Sequence, residues 1–519
     1  MTELSRRSVL IGGAFVLVAA LTSGCVSTQQ PADRARADQV VIALASAVTT
    51  LDPMNTNTTR TDLSVLSSIY SSLVERGPDL RLRPSVASTW EQVAPDRWRF
   101  HLNSAARFSD GTPLDASVVA WNVARLQDTS KGLRQTSNFS QLAGAEVVDP
   151  LTVDLSTKGP WPALPDALSS LYLLSPDWVA SHNPVTAAMG SGPYELVSYA
   201  PGASVELRAR PDYWGDAVSI REVTFQTVPS STSRVSGLLS GELDVISDFE
   251  PSDIDRLRTD RSLEVNQIDT TRMAMMNLNS ITGPMTDVRV RRAVNYAVDK
   301  KAITDNLLKG SVSPSPGQLV TPLYSGYDDK IVGYPYDPDL ARSLLSEAGY
   351  GPTNPLRVDL SVPTGTYVAG ELVVQAVAQQ LEQVGIEVNT RSLTYSVFMQ
   401  NYLKERAMPD LQYMTLAWPT LAADGVFRLF TAGNSYSYWN DPQFTDAVNL
   451  ASSSNDDSVR QEALAEAAQR ARDEAPVLFL FAQPGFYAQT AALEWKARPD
   501  DWLRPADMSW SRSVEEGAK

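Results

Sequence analysis

Few side chains in this sequence could carry covalent or metal chemistry, and they are scattered. Cys25 is the one cysteine, and His101 and His182 are the only histidines in 519 residues. One thiol makes neither an internal disulfide nor a cysteine cluster. No G-x-S-x-G elbow and no H-E-x-x-H zinc motif occurs. Carboxylates are abundant, with 60 Asp and Glu against 44 Lys and Arg. A glycosidase-like acid pair could therefore arise by chance, so an exported hydrolase is the weakest function class. No catalytic residue, cofactor or metal site is expected. The net charge of −16 argues against nucleic acid, whose recognition needs concentrated positive charge.

Cys25 has a different use, set by what precedes it. Ser5-Arg6-Arg7 is a positive start, Ile11 to Leu21 is almost wholly apolar, and Ser23-Gly24 are small. The run falls short of the roughly 20 apolar residues needed to cross a bilayer, so it reads as an export leader. "SRRSVL" resembles a twin-arginine signal, although Val9 stands where Phe is commoner. "LTSGC" resembles a lipobox, in which the cysteine is diacylated and becomes the mature N-terminus; Thr22 departs from the usual aliphatic residue. Residues 1–24 are then a leader and 25–38 a polar, lipid-anchored tether.

The elements that follow are mixed α and β. "QVVIAL" is a β-branched strand, and "RWRFHL" sets Trp98, Phe100 and Leu102 against Arg97, Arg99 and His101 with period two. Asp115, Asp287 and Asp337 are predicted helix caps, the last followed by Pro338 at the first helical position and Gly349 as stop. Val373, Val377, Leu381 and Val384 line one face of a helix that ends at Gly385 and leads into a strand. Trp90, Trp98, Tyr194, Tyr213 and Trp214 are read as scaffold, Asp110–Pro113 as a turn, and Met273, Met275 and Met276 as a buried strand.

"LRPSVASTWEQVAPDRWRFHLNSAARFSDGTPLDASVVAWNVARL", "SGPYELVSYAPGASVELRARPDYWG", "TDVRVRRAVNYAVDKKAI" and "YDPDLARSLLSEAGY" occur in this order. Together they resemble the signatures of extracellular solute-binding proteins of family 5, the peptide, oligopeptide and nickel-type receptors of ABC importers. The resemblance implies an α/β, two-lobed, periplasmic-binding-protein-like clamp of class II type with an additional inserted subdomain. It divides the chain into a first lobe of residues 39–52, 190–275 and 478–519, an inserted subdomain of 53–189, and a second lobe of 276–477. It also implies a lipid-anchored, extracytoplasmic, non-enzymatic receptor, probable monomer aside from its ABC permease subunits, with a small solute, foremost a peptide, as ligand.

Ligand contacts are expected on loops at the lobe edges. The candidates are Asn57, Thr58 and Arg60 in "NTNTTRTD", Tyr367 after "RVDLSVP", and Trp418, Asp424, Tyr436 and Tyr438 farther on. In peptide receptors that resemble this chain, an aspartate at the position of Leu421 pairs the peptide amine; here only Asp424 is kept. The aromatic residues would suit peptides, and rings also stack on sugars, so glycans stay open. So does a metal held by its own organic chelator, since no imidazole falls near Trp418. A lipoprotein whose partner is another protein is a further alternative. Replacing Cys25 with Ser is expected to move the protein from the membrane pellet to the soluble fraction. Retention in the pellet by Cys25→Ser, with no lipid mass on the wild type, would remove the anchor.

Overall fold

The structure, a computed structural model, describes residues 38–56, 60–310, 312–418 and 420–511; Cys25 with the leader, Asn57 and Thr58 lie outside them. A ten-stranded mixed sheet runs through the molecule. Its order from one edge is 386–393, 356–363, 411–416, 263–278, 477–490, 245–247, 39–44, 222–227, 204–209 and 194–200. The two long central strands, Leu263–Leu278 and Val477–Thr490, are antiparallel neighbours and belong to both lobes. Leu263–Asp269 pairs with Thr490–Pro484, the register then shifts, and Met273–Asn277 pairs with Ala482–Val477.

Helices cover both faces of this sheet, so its central strands are apolar on both sides. Met273 and Met275 enter one core of the second lobe with Phe427, Trp439 and Phe479. Ala274 and Met276 point the other way, into a core with Val294, Val377 and Leu480. All three methionines are therefore buried. The first lobe has its own cores, one of which joins Val40, Ile42 and Phe225 to Leu63, Leu66 and Ile69 of helix Arg60–Ile69. Gly190 and Gly192 let the chain pass against that helix end: a Cβ on Gly190 would lie 2.0 Å from the Ile69 carbonyl oxygen.

A separate four-stranded antiparallel sheet, in the order 87–94, 97–102, 152–157 and 142–149, packs on helix Ala116–Gln127. Phe100, Val119, Val123, Leu126 and Leu155 form its core. The caps act as expected from the sequence. Asp115 accepts the Ser117 and Val118 N–H groups, Asp287 that of Arg289, and Asp337 that of Leu340. Val373, Val377, Leu381 and Val384 are buried, and Gly385 turns at φ +89° into strand Ile386–Leu393.

Asn295 ties the second lobe to the central strands. It is fully buried; its amide donates to the Arg291 carbonyl at 3.1 Å and the Val477 carbonyl at 2.9 Å, and it accepts the Phe479 N–H at 3.2 Å. Leaving such groups unpaired costs about 1–3 kcal/mol each. Asn295→Ala is therefore expected to lower the urea midpoint without changing the slope. A loss below about 0.5 kcal/mol, the scale of a surface substitution, would contradict this.

Candidate functional site

A cavity of about 580 Å³ lies between the lobes, a size in the usual range for small-molecule sites. Its walls come from distant parts of the chain: Arg60, Asp248 and Glu250 on one side, Tyr367, Glu371 and Trp418 on the other. Thr271 and Arg272 of the crossing strand and Asp500 to Trp502 complete it. Of the residues singled out in the sequence, Arg60, Tyr367 and Trp418 are brought together here, with Leu421 beside them.

Arg60 opens helix Arg60–Ile69 and meets Asp248 with both ends of its fork, one contact being 3.0 Å from Nη1 to Oδ1 and the other from Nη2 to Oδ2. Asp501 lies 4.0 Å from the same guanidinium. Burial alone would raise the Asp248 carboxyl, but Arg60, backed by Arg272 and Arg234, overcomes it and brings the group down to about 2. Arg234 donates to the Ser247, Val228, Pro229 and Asp248 carbonyls and so fixes the loop that presents Asp248.

Trp418 is held from two directions. Its N–H donates to the Tyr324 hydroxyl at 2.7 Å, and a Cβ on Gly425 would lie 2.3 Å from its Cδ1. Only glycine lets the ring lie this close to helix Ala423–Phe427. Tyr367 packs edge-on against Tyr413 at 5.7 Å, just before helix Gly370–Gln383. Leu421, at φ +53°, presents an apolar side chain and has no charge to offer an amine.

The structure does not bring Asp424, Tyr436 or Tyr438 to the cavity wall. Asp424 is buried on its short helix, accepts the Ser452 hydroxyl at 3.2 Å, and lies close enough to Asp166 to raise that carboxyl further beyond the effect of burial. The helical turn after Leu421 directs it away from the cleft. Tyr438 donates to the Tyr402 carbonyl at 2.7 Å beneath the Arg406 guanidinium, and Tyr436 stands edge-on to Tyr402 at 5.8 Å. Both are packing residues of the core behind the wall.

Several wall residues escaped the sequence reading. Arg272 interrupts the apolar strand "TTRMAMMNL", and that lone charge was its signal. Asp501, at φ +65°, accepts the Tyr487 hydroxyl at 2.5 Å and lies 2.9 Å from Arg272. Glu250 and Glu371 face each other across the opening. Burial raises the Glu250 carboxyl and Glu371 raises it further, against the Ala369 N–H. Among the described residues no ion pair holds either glutamate. The cavity lining contains no histidine, and no group of described residues is arranged to hold a metal ion. Rings, fixed charges and buried donors equip this cavity to enclose a polar solute.

Two lobes that share a pair of strands and enclose a cavity between them define a solute-binding clamp. The chain belongs to the bacterial extracellular solute-binding proteins, family 5, whose middle region matches residues 81–456. Members of this family are extracytoplasmic receptors that serve ABC importers and are not enzymes. The chain is 27% identical over 400 residues to the glutathione-binding protein GsiB of Shigella dysenteriae, covering 76% of this chain and 75% of that one. Its fold matches the Escherichia coli murein tripeptide binding protein MppA with a TM-score of 0.80 at 20% identity, over 92% of this chain and 99% of that one. Campylobacter jejuni NikZ in complex with Ni(L-His) matches with a TM-score of 0.81 at 18% identity, over 91% and 99%.

The buried Arg60–Asp248 pair gives a pH dependence. Asp248 sits below its ordinary value of 3.8 in the folded protein, so its contribution is complete above about pH 4 and is lost as pH falls toward 2. Asp248→Asn is expected to remove that part of the acid-unfolding curve, read by circular dichroism. An unaltered slope between pH 4 and 2 would show that the pair carries no such linkage.

Proposed function

We propose that this chain is a lipid-anchored receptor, acting as a monomer, that delivers a peptide or peptide-like solute to an ABC importer. The observation that carries the reading is the cleft itself: aromatic walls at Tyr367 and Trp418 beside fixed charges of both signs at Arg60, Asp248, Arg272 and Asp501. Rings bury area without demanding one side-chain chemistry, while the charges match the polar ends of a small zwitterion. The printed names of GsiB and MppA, a glutathione and a tripeptide binder, agree with that chemistry. The anchor rests on "LTSGC" and on the polar stretch after it. Among the described residues no helix is long and apolar enough to cross a membrane.

In this reading the lobes close about the crossing at Thr270–Arg272 and Gln483, where the register of the two long strands shifts. The first lobe extends through residues 39–52 and 190–275 with the C-terminal segment, the second through 276–477, and the inserted subdomain through 53–189. The test is thermal shift and small-angle scattering with reduced glutathione, trialanine, nickel–histidine and maltotriose. A ligand at a hundredfold excess over its Kd stabilises by about 2.7 kcal/mol. Stabilisation by the peptides with a smaller radius of gyration is expected. Stabilisation by maltotriose or nickel–histidine alone would replace the peptide reading with a glycan or chelate one, and product formation would end the receptor reading.

A further inference from the structure

We infer that Arg272 reads a carboxylate of the ligand. This deepens the receptor reading and rests on the cleft being its ligand site. Four arginines line the cavity, and three have their donors engaged. Arg60 spends its fork on Asp248, and Arg234 spends its donors on backbone carbonyls. Arg76 donates to Asp166 and to the Leu80 and Thr420 carbonyls.

Arg272 differs. Its Nε and Nη2 are buried and have no hydrogen-bond partner. Nε lies 2.9 Å from Asp501 Oδ2, so the two charges are paired, but the contact lacks the geometry of a hydrogen bond. Asp501 is itself engaged by the Tyr487 hydroxyl and approached by Arg60. Buried guanidinium N–H groups are costly to leave unfilled, and a planar carboxylate fills two of them at once.

The surrounding charge supports an anion there. At this end of the cleft three guanidiniums, Arg60, Arg234 and Arg272, meet two carboxylates, Asp248 and Asp501. At the opening stand Glu250 and Glu371 without an ion pair among the described residues. A solute with its carboxylate toward Arg272 and its cationic end toward the opening matches that polarity.

Calorimetry on wild type, Arg272→Gln and Arg272→Lys, with trialanine and trialanine amide, tests the assignment. Wild type is expected to bind the acid more tightly than the amide by on the order of tenfold. Arg272→Gln should erase that gap, and Arg272→Lys, which keeps the charge but not the fork, should restore only part of it. A gap that survives in Arg272→Gln, or no gap in wild type, overturns the assignment; should Arg272→Gln fail to fold, an undiminished gap in Arg272→Lys overturns it instead. If neither peptide binds, the peptide reading fails separately, and thermal shifts with glutarate and neutral glutaramide decide. Stabilisation by glutarate that Arg272→Gln or Arg272→Lys weakens supports the carboxylate reader, whereas equal or absent effects of the two probes overturn it.

Discussion

The architecture depends on two antiparallel strands that serve both lobes. Leu263–Leu278 and Val477–Thr490 pair in one register on the first-lobe side and in another beyond Thr270–Arg272. On each side the strands are locked by buried cores, with Met273, Met275 and Phe479 on one face of the second lobe and Met276 and Leu480 on the other. Between them, the ladder is interrupted and the side chains turn polar. A sheet tolerates such an interruption only where something else uses the freed groups. Here the interruption places Arg272 at the cavity, and Thr270 donates to the Gln483 carbonyl at 2.6 Å to hold the crossing closed.

Burying four arginines in one cleft is possible because their partners arrive from elsewhere in the chain. Isolated charges in such a place would carry a desolvation penalty of several kcal/mol each. Asp248 comes from the turn after strand Val245–Ser247, and Asp501 from the C-terminal segment. Both aspartates sit at positive φ, at +57° and +65°. Those backbone conformations are costly for residues with a Cβ, and they persist because ion pairs and the Tyr487 hydroxyl fix the carboxylates. The wall is thus assembled and neutralised before a solute arrives, which limits the ordering that binding must impose.

What was legible in the sequence was local. Asp115, Asp287 and Asp337 announce helices because a cap and the N–H groups it serves lie within three residues. The family signatures carried the fold because they span whole elements. The site was harder to read, since its contacts join residues that sequence spacing does not relate. Arg60 and Asp248 are 188 positions apart. Counting from Trp418 pointed to Asp424, but Leu421 enters the left-handed region and the next turn is helical, so the count runs out of the cleft. Tyr436 and Tyr438 looked like wall residues because composition cannot tell an aromatic face turned to a ligand from one turned to a core.

The same distinction explains how the aromatic wall stays in place. Trp418 is only partly covered, yet its backbone is held by Tyr324 and its ring is set against Gly425. Tyr324 is buried in the second-lobe core with Phe427 and Phe430, so the position of the ring is inherited from that core. Tyr367 has a similar arrangement through Tyr413, whose strand pairs with the central one at Met276. Both rings are therefore anchored to the second lobe, whereas Arg60 and Asp248 are anchored to the first. The apolar and charged halves of the cleft are complementary only when the two lobes face each other across the crossing strands, and this makes the relation between lobes the quantity that a bound solute can stabilise.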